Sequence, residues 1–233
     1  MADTFAGITD DPVKFKEAIK AFRKKVPMTE DEWGELEADE LQFAFTVANV
    51  TQLDLVVDVY EAITRAIENG TTLEDFKAEV GERLSEEWGG ADGGLMETIF
   101  RTNVQGAYNG GRHAAADEMR DTRPYWRFDV VLDARTSENI CRPCAALVLA
   151  ADDGWWATHY PPLHPNCRSI ATTLTQAEAE EEGISGSGPD VDVVSGFGIE
   201  PTGAGGGSWE PDPKDYPGDL GDALGDRLDE EAA

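Results

Sequence analysis

Positive charge is scarce in this sequence: 19 Lys and Arg stand against 47 Asp and Glu, for a formal net charge of -28. A protein that grips nucleic acid by neutralising phosphates needs clustered cations, because much of its affinity comes from displaced counterions. The balance therefore argues against a general nucleic-acid binder. No run of 18 or more apolar residues occurs, so no segment has the length of a membrane-spanning helix. The opening MADTFAGITDD lacks the basic stretch and apolar core of a secretory signal. We expect a protein made and assembled in the cytoplasm, with no membrane partner. Cysteine is rare too. Cys141, Cys144 and Cys167 are the only three, and an odd number cannot all pair within one chain. There is no P-loop, no Gly-x-Gly-x-x-Gly after a strand, and no defensible Ser/His/Asp arrangement, which removes the commonest nucleotide-binding and hydrolytic signatures.

What is present is enough for a core, since 40% of the residues are hydrophobic. Val13, Phe15, Ala18, Ile19 and Phe22 recur at helical spacing behind Asp11 as a cap and Pro12 in the first turn, predicting a helix over residues 12–25. Thr29 followed by Glu32 is a capping box, and predicts a helix running through Trp33, Leu36 and Leu41 toward residues 43–50. Residues 51–69 are amphipathic and stop at Gly70. Thr72 with Asp75 opens another helix, and a long helical pattern covers residues 95–119. After Pro124 the character changes. Residues 125–132 are aromatic and β-branched and read as a strand, as do residues 169–174. Helices first and strands later define an α+β fold. Three regions follow: helical over residues 1–120, a small α+β unit over residues 121–175, and an extended Gly/Pro/acid-rich tail over residues 176–233.

Charge is distributed unevenly between the ends. The tail holds 16 acidic residues against Lys214 and Arg227, whereas Lys14, Lys16, Lys20, Arg23, Lys24 and Lys25 cluster near the start. The basic cluster is expected to be a solvated helix face; pairing with the acidic tail, within or between chains, is the alternative. The tail's glycines make it a flexible arm. Trp209, Tyr216, Leu220 and Leu224 would anchor it on a neighbouring subunit, a route to self-association.

Chemistry concentrates between residues 133 and 168. Cys141-Arg-Pro-Cys144 is a Cys-x2-Cys knuckle, and His164-Pro-Asn-Cys167 offers a second pair 20 residues later. Two such turns can complete a tetrahedron, and a Cys3His set is a usual closed site for structural zinc. We therefore take Cys141, Cys144, His164 and Cys167 as candidate Zn²⁺ ligands. Clustered free thiols, or a redox role for Cys141 and Cys144, are the alternatives. The loop is poor in large aliphatics, so it is expected to have little core and to need the metal for folding. A catalytic zinc would need an open position and a base. Glu138 and His159 are the candidates, but neither has a hydrolase spacing such as His-Glu-x-x-His. An enzyme is therefore not expected, and a small metal-dependent nuclease or peptidase using this loop is the rival reading. Asp133 is placed to cap its turn or to pair with Arg168. Arg135 is expected either to join such a pairing or to lie in solvent, and His113 and His159 to be surface or packed histidines.

LDARTSENICRPC followed by PPLHPNCRS resembles the signature of the phage Mu F-like, or head morphogenesis, minor head proteins. The resemblance extends to AFRKKVPMTEDEW, AFTVANV, the Gly70 to Phe76 segment, TNVQGAYNGGR and the tail GFGIEP…YPGDL. It implies a virion component at the portal vertex of a tailed-virus head, acting in head morphogenesis and genome delivery. The partners it implies are the portal protein, the major capsid protein, or both. Relatives that lack the full ligand set have Cys-Arg-Cys where this chain has Cys167-Arg168-Ser169, which implies a fold that can persist without metal.

Overall fold

The computed structural model describes residues 15–36, 44–90, 92–201 and 214. Asp11, Pro12, Val13, Lys14, Leu41, Trp209, Tyr216, Leu220, Leu224 and Arg227 lie outside the described residues.

The helical body is built on α1 (Lys16–Arg23), α3 (Leu53–Asn69), α4 (Leu73–Glu87) and α5 (Gly93–Asp117). Their ends follow local chemistry. Thr72 accepts from the Asp75 N–H while Asp75 reaches back to the Thr72 N–H at 2.8 Å, closing the expected capping box. Gly70 ends α3 in the left-handed conformation, φ 70°, where a side chain would be strained. Val56, Val59, Ile63, Phe76, Leu84 and Phe22 meet in one core, with the Phe22 ring stacked on Tyr60 at 5.1 Å. α1 packs closely on α5. A Cβ on Gly111 would lie 2.5 Å from the Ala18 nitrogen, so only glycine permits this approach. Lys16, Lys20 and Lys24 face outward on α1, and Arg23 pairs with Glu68 on α3.

The helix expected from Thr29 is shorter than its pattern. Its capping box forms, with the Thr29 N–H 2.8 Å from Glu32, but α2 covers only Glu30–Gly34. Gly34 is a poor helix former. Ala44, Phe45, Val47 and Val50 are all buried, so the segment runs extended through the core instead of presenting one helical stripe. There β2 (Ala44–Phe45) pairs parallel with β1 (Val26–Pro27).

The second part is a three-stranded antiparallel sheet, ordered β4-β3-β5: β3 is Tyr125–Asp129, β4 Leu147–Ala150 and β5 Ile170–Leu174. In β3 the burial alternates, so Trp126 and Phe128 enter the core while their neighbours are half exposed. Trp126, Phe128, Leu147, Leu149, Trp156, Tyr160 and Leu163 form that core, with Trp156 starting the single-turn α6 (Trp156–His159). β4 corrects the expectation of a coreless loop: Leu147, Val148 and Leu149 are buried and hydrogen-bonded to β3. On the opposite face Val148 and Leu174 pack on Ala179 of α7 (Gln176–Glu182), which Thr175 and Glu178 cap.

The fold class is α+β, a helical body followed by a small sheet unit. Beyond α7, residues 183–201 run extended across this unit as a strap. Trp155 Nε1 donates to Pro189 O at 3.0 Å, Val194 N to Leu163 O at 3.1 Å, Gly198 N to Pro162 O at 2.9 Å, and Tyr160 N to Gly198 O at 2.8 Å. Gly198 has φ +76°, and a Cβ there would meet Thr158 O at 2.4 Å. The strap therefore orders against its own chain, where composition predicted an arm that needs a neighbour. Among the described residues, no helix is long and apolar enough to cross a membrane.

A Cys/His candidate metal centre

Two turns build the site. Cys141 precedes a 3-10 turn at Arg142–Cys144, with Cys144 N donating to Cys141 O at 3.1 Å. The second turn closes through Cys167 N to His164 O at 3.1 Å, with Asn166 left-handed at φ 58°. They bring Cys141 Sγ within 3.1 Å of His164 Nε2 and 3.6 Å of Cys167 Sγ. The ligand atoms of Cys141, His164 and Cys167 all lie within 4.8 Å of one another. These three form a group that can hold a metal ion.

The protonation pattern suits a cation. His164 Nδ1 lies 2.7 Å from Pro165 O. A carbonyl only accepts, so Nδ1 carries the proton and Nε2 turns its lone pair toward Cys141. Cys167 is held below the usual thiol range, first by its hydrogen bond with Cys141 and then by backbone hydrogen bonds at Leu163 and Ser169. The same bond, and burial, push Cys141 up. A divalent cation binding here would take both sulfurs as thiolates.

Cys144 stands apart from the three. Its thiol is buried, donates to Ile140 O at 3.2 Å, and is pushed up to about 11 by burial and then by the Cys167 charge. Of the four predicted ligands, the structure brings together three. The candidate bases stand elsewhere. Glu138 is an exposed partner of Arg142 at 2.7 Å, and His159 stacks on Trp155 at 4.6 Å. His113 is packed, 4% exposed, with Nε2 2.9 Å from Glu200.

Asp133 fills both roles foreseen for it. Its carboxylate takes a bidentate pair from Arg168 at 2.8 and 2.6 Å and accepts from the Arg135 N–H at 2.8 Å. The Arg168 guanidinium and that N–H hold the carboxyl well below its ordinary range. Arg135 itself is largely solvent-exposed, 3.8 Å from Asp133. The pair joins the residues before the first knuckle to the residue after Cys167.

Sequence reading missed a set of polar side chains on α5. Thr102 Oγ1 accepts from Asn166 N at 2.9 Å, and Thr98 Oγ1 from Asn166 Nδ2 at 2.9 Å. Gln105 and Asn109 both donate to Ser169 O, at 3.4 and 3.0 Å. The available signal was their spacing, which keeps four polar residues along one side of a long helix.

The architecture is that of a helical body carrying a sheet unit whose loops are drawn together at a Cys/His group. The chain belongs to the phage Mu protein F like family, whose model matches residues 57–172. It is 34% identical over 186 residues to the "Putative capsid assembly protein F" of Escherichia phage Mu, covering 72% of this chain and 42% of that protein. It is 32% identical over 160 residues to the "Mu-like prophage FluMu F protein" of Haemophilus influenzae, covering 63% of this chain and 38% of that one. The chain thus spans about two fifths of the length of these curated relatives. No solved structure matches it.

Proposed function

We propose that this chain is a structural protein of a tailed-phage head, seated at the portal vertex against portal or major capsid protein. It acts there in head morphogenesis and genome delivery. The observation that carries this reading is the family match over residues 57–172, which runs from within α3 to within β5 and takes in α4, α5 and the Cys/His unit. The name of the Mu relative points the same way. An enzymatic reading has no comparable support, since neither Glu138 nor His159 joins the Cys/His group. Labelling the protein in purified procapsids and imaging them should place it at one vertex in few copies. Signal on every capsomer, or absence from particles, refutes the proposal.

The same reading assigns one zinc ion to Cys141, His164 and Cys167. Thiolate and imidazole donors suit zinc and exclude Mg²⁺ and Ca²⁺. Cys144, on the same knuckle, would supply a fourth ligand if its thiol turned from Ile140 O. A metal held there would tie the Cys141 turn to the His164–Cys167 turn. Purified protein should contain one equivalent of zinc, lost in Cys167→Ala. Chelation should raise amide exchange in both turns and leave α3 unchanged. Metal-free protein with equally protected turns would refute the assignment.

A further inference from the structure

The turn that supplies His164 and Cys167 is not held by its own unit alone. Its backbone and its Asn166 side chain are gripped by α5, the longest helix of the helical body. Thr98, Thr102, Gln105 and Asn109 lie at intervals of four, three and four residues, which keeps them on one helix face. Thr102 fixes Asn166 N and Thr98 fixes the Asn166 amide, while Gln105 and Asn109 fix the Ser169 carbonyl. Cys167 lies between these two tethered residues, and His164 two positions before the first. Asn166 occupies the left-handed region at φ 58°, which asparagine adopts more readily than most residues.

Asn109 shows that the face costs stability. It is 1% exposed, and its Oδ1 is buried without a hydrogen-bond partner among the described residues. An unsatisfied buried acceptor is destabilising, and an apolar side chain at the same position would avoid that penalty. What the amide supplies in return is the Nδ2 bond to Ser169 O. Ser169 is itself 2% exposed and lies two positions after Cys167.

We infer that Thr98, Thr102, Gln105 and Asn109 are positioning residues for the Cys/His centre: an outer shell, supplied by the helical body, that presets the His164–Cys167 turn for a metal. The inference rests on the zinc assignment above. It makes metal loading and the seating of the sheet unit on α5 one linked event, because the same turn serves both. Groups of this kind, which orient a ligand without touching the metal, typically change metal affinity by about 10- to 100-fold when removed.

The test measures zinc affinity of the full chain by chelator competition, with Co²⁺ absorption reporting ligand geometry. Thr102→Val and Asn109→Leu keep size while deleting the hydrogen bonds, and Thr102→Ser restores the hydroxyl. Thermal unfolding of each metal-free variant reports folding separately. The expected result is zinc affinity weakened about 10-fold or more in Thr102→Val and Asn109→Leu. Metal-free melting should hold or improve in Asn109→Leu, and affinity should return in Thr102→Ser. Unchanged affinity in both deletions, with zinc still bound by the parent protein, overturns this inference alone. Affinity lost only in step with metal-free stability also overturns it, since that is what a purely structural role predicts. A parent protein that binds no zinc overturns the zinc assignment and this inference with it.

Discussion

The helical body and the sheet unit solve the same packing problem with different materials. The body buries Val, Ile and Leu from α3 and α4 around a few rings, spaced as amphipathic helices require. The sheet unit, much smaller, fills its centre with Trp126, Phe128, Trp156 and Tyr160 in edge-on and stacked contacts. Large rings bury much area per residue, which lets a short segment acquire a core. Around that core the unit adds point ties: Asp133 to Arg168, the Cys/His group, and the strap. The body is held by area. The unit is held by a few rings and by ties between segments distant in sequence.

The sharpest way to break this contrast is Trp156→Ala. The ring is fully buried and its Nε1 donates to Ala150 O at 3.0 Å, so its removal should cost about 3–5 kcal/mol. Amide exchange should show β3, β4 and the strap opening while α3 and α4 stay protected. Equal loss in both parts would mean that the molecule unfolds as one body. Gly111→Ala attacks the other side. The added methyl collides with α1 backbone, for an expected loss of about 1–3 kcal/mol by chemical denaturation, centred on α1 and α5. A variant as stable as the parent would show that α1 can shift freely.

The smallest effect is electrostatic and belongs to the strap. The His113 hydrogen bond, followed by the charges of His113 and Arg120, holds the Glu200 carboxyl below its ordinary range. A depressed folded-state value means stability that is present above the unfolded Glu value of about 4.3 and is lost as pH falls through the folded one. The parent protein should therefore melt above Glu200→Gln at neutral pH, and the gap should close as the solution is acidified below about pH 4. A gap independent of pH would remove Glu200 as the cause.

Legibility in the sequence followed the range of each interaction. The capping boxes at Thr29 and Thr72, the stop at Gly70, and the strands from Tyr125 and Ile170 are set by neighbours a few residues away, and all were readable. Asp133 with Arg168 was readable as charge complementarity. β4 was not, because Leu147-Val148-Leu149 is a short unalternating run inside a segment dominated by its cysteines. The strap was hidden for a different reason. Gly and Pro suggest a linker, and composition cannot show that Gly188 lies against Trp155 or that Gly198 is shaped to Thr158. At the site, residue types identified the group, but the rotation of Cys144 toward Ile140 and the reach of α5 depend on tertiary placement.

Glu200 also ties the C-terminal end of the strap to the helical body. It lies near the end of the strap, yet its carboxylate meets His113 near the end of α5 and Arg120 just beyond it, and Arg120 in turn lies 4.7 Å over the Trp126 ring. A pull applied at residue 201 would be met first by this carboxylate and by the Glu200 N–H bond to Ala157 O at 3.3 Å. From there it would pass to His113 on α5 and, through Arg120, to the Trp126 ring. The strap would thus serve as a strain relief, with the Glu200 anchorage standing between a pull on the C-terminal side and the His164–Cys167 turn.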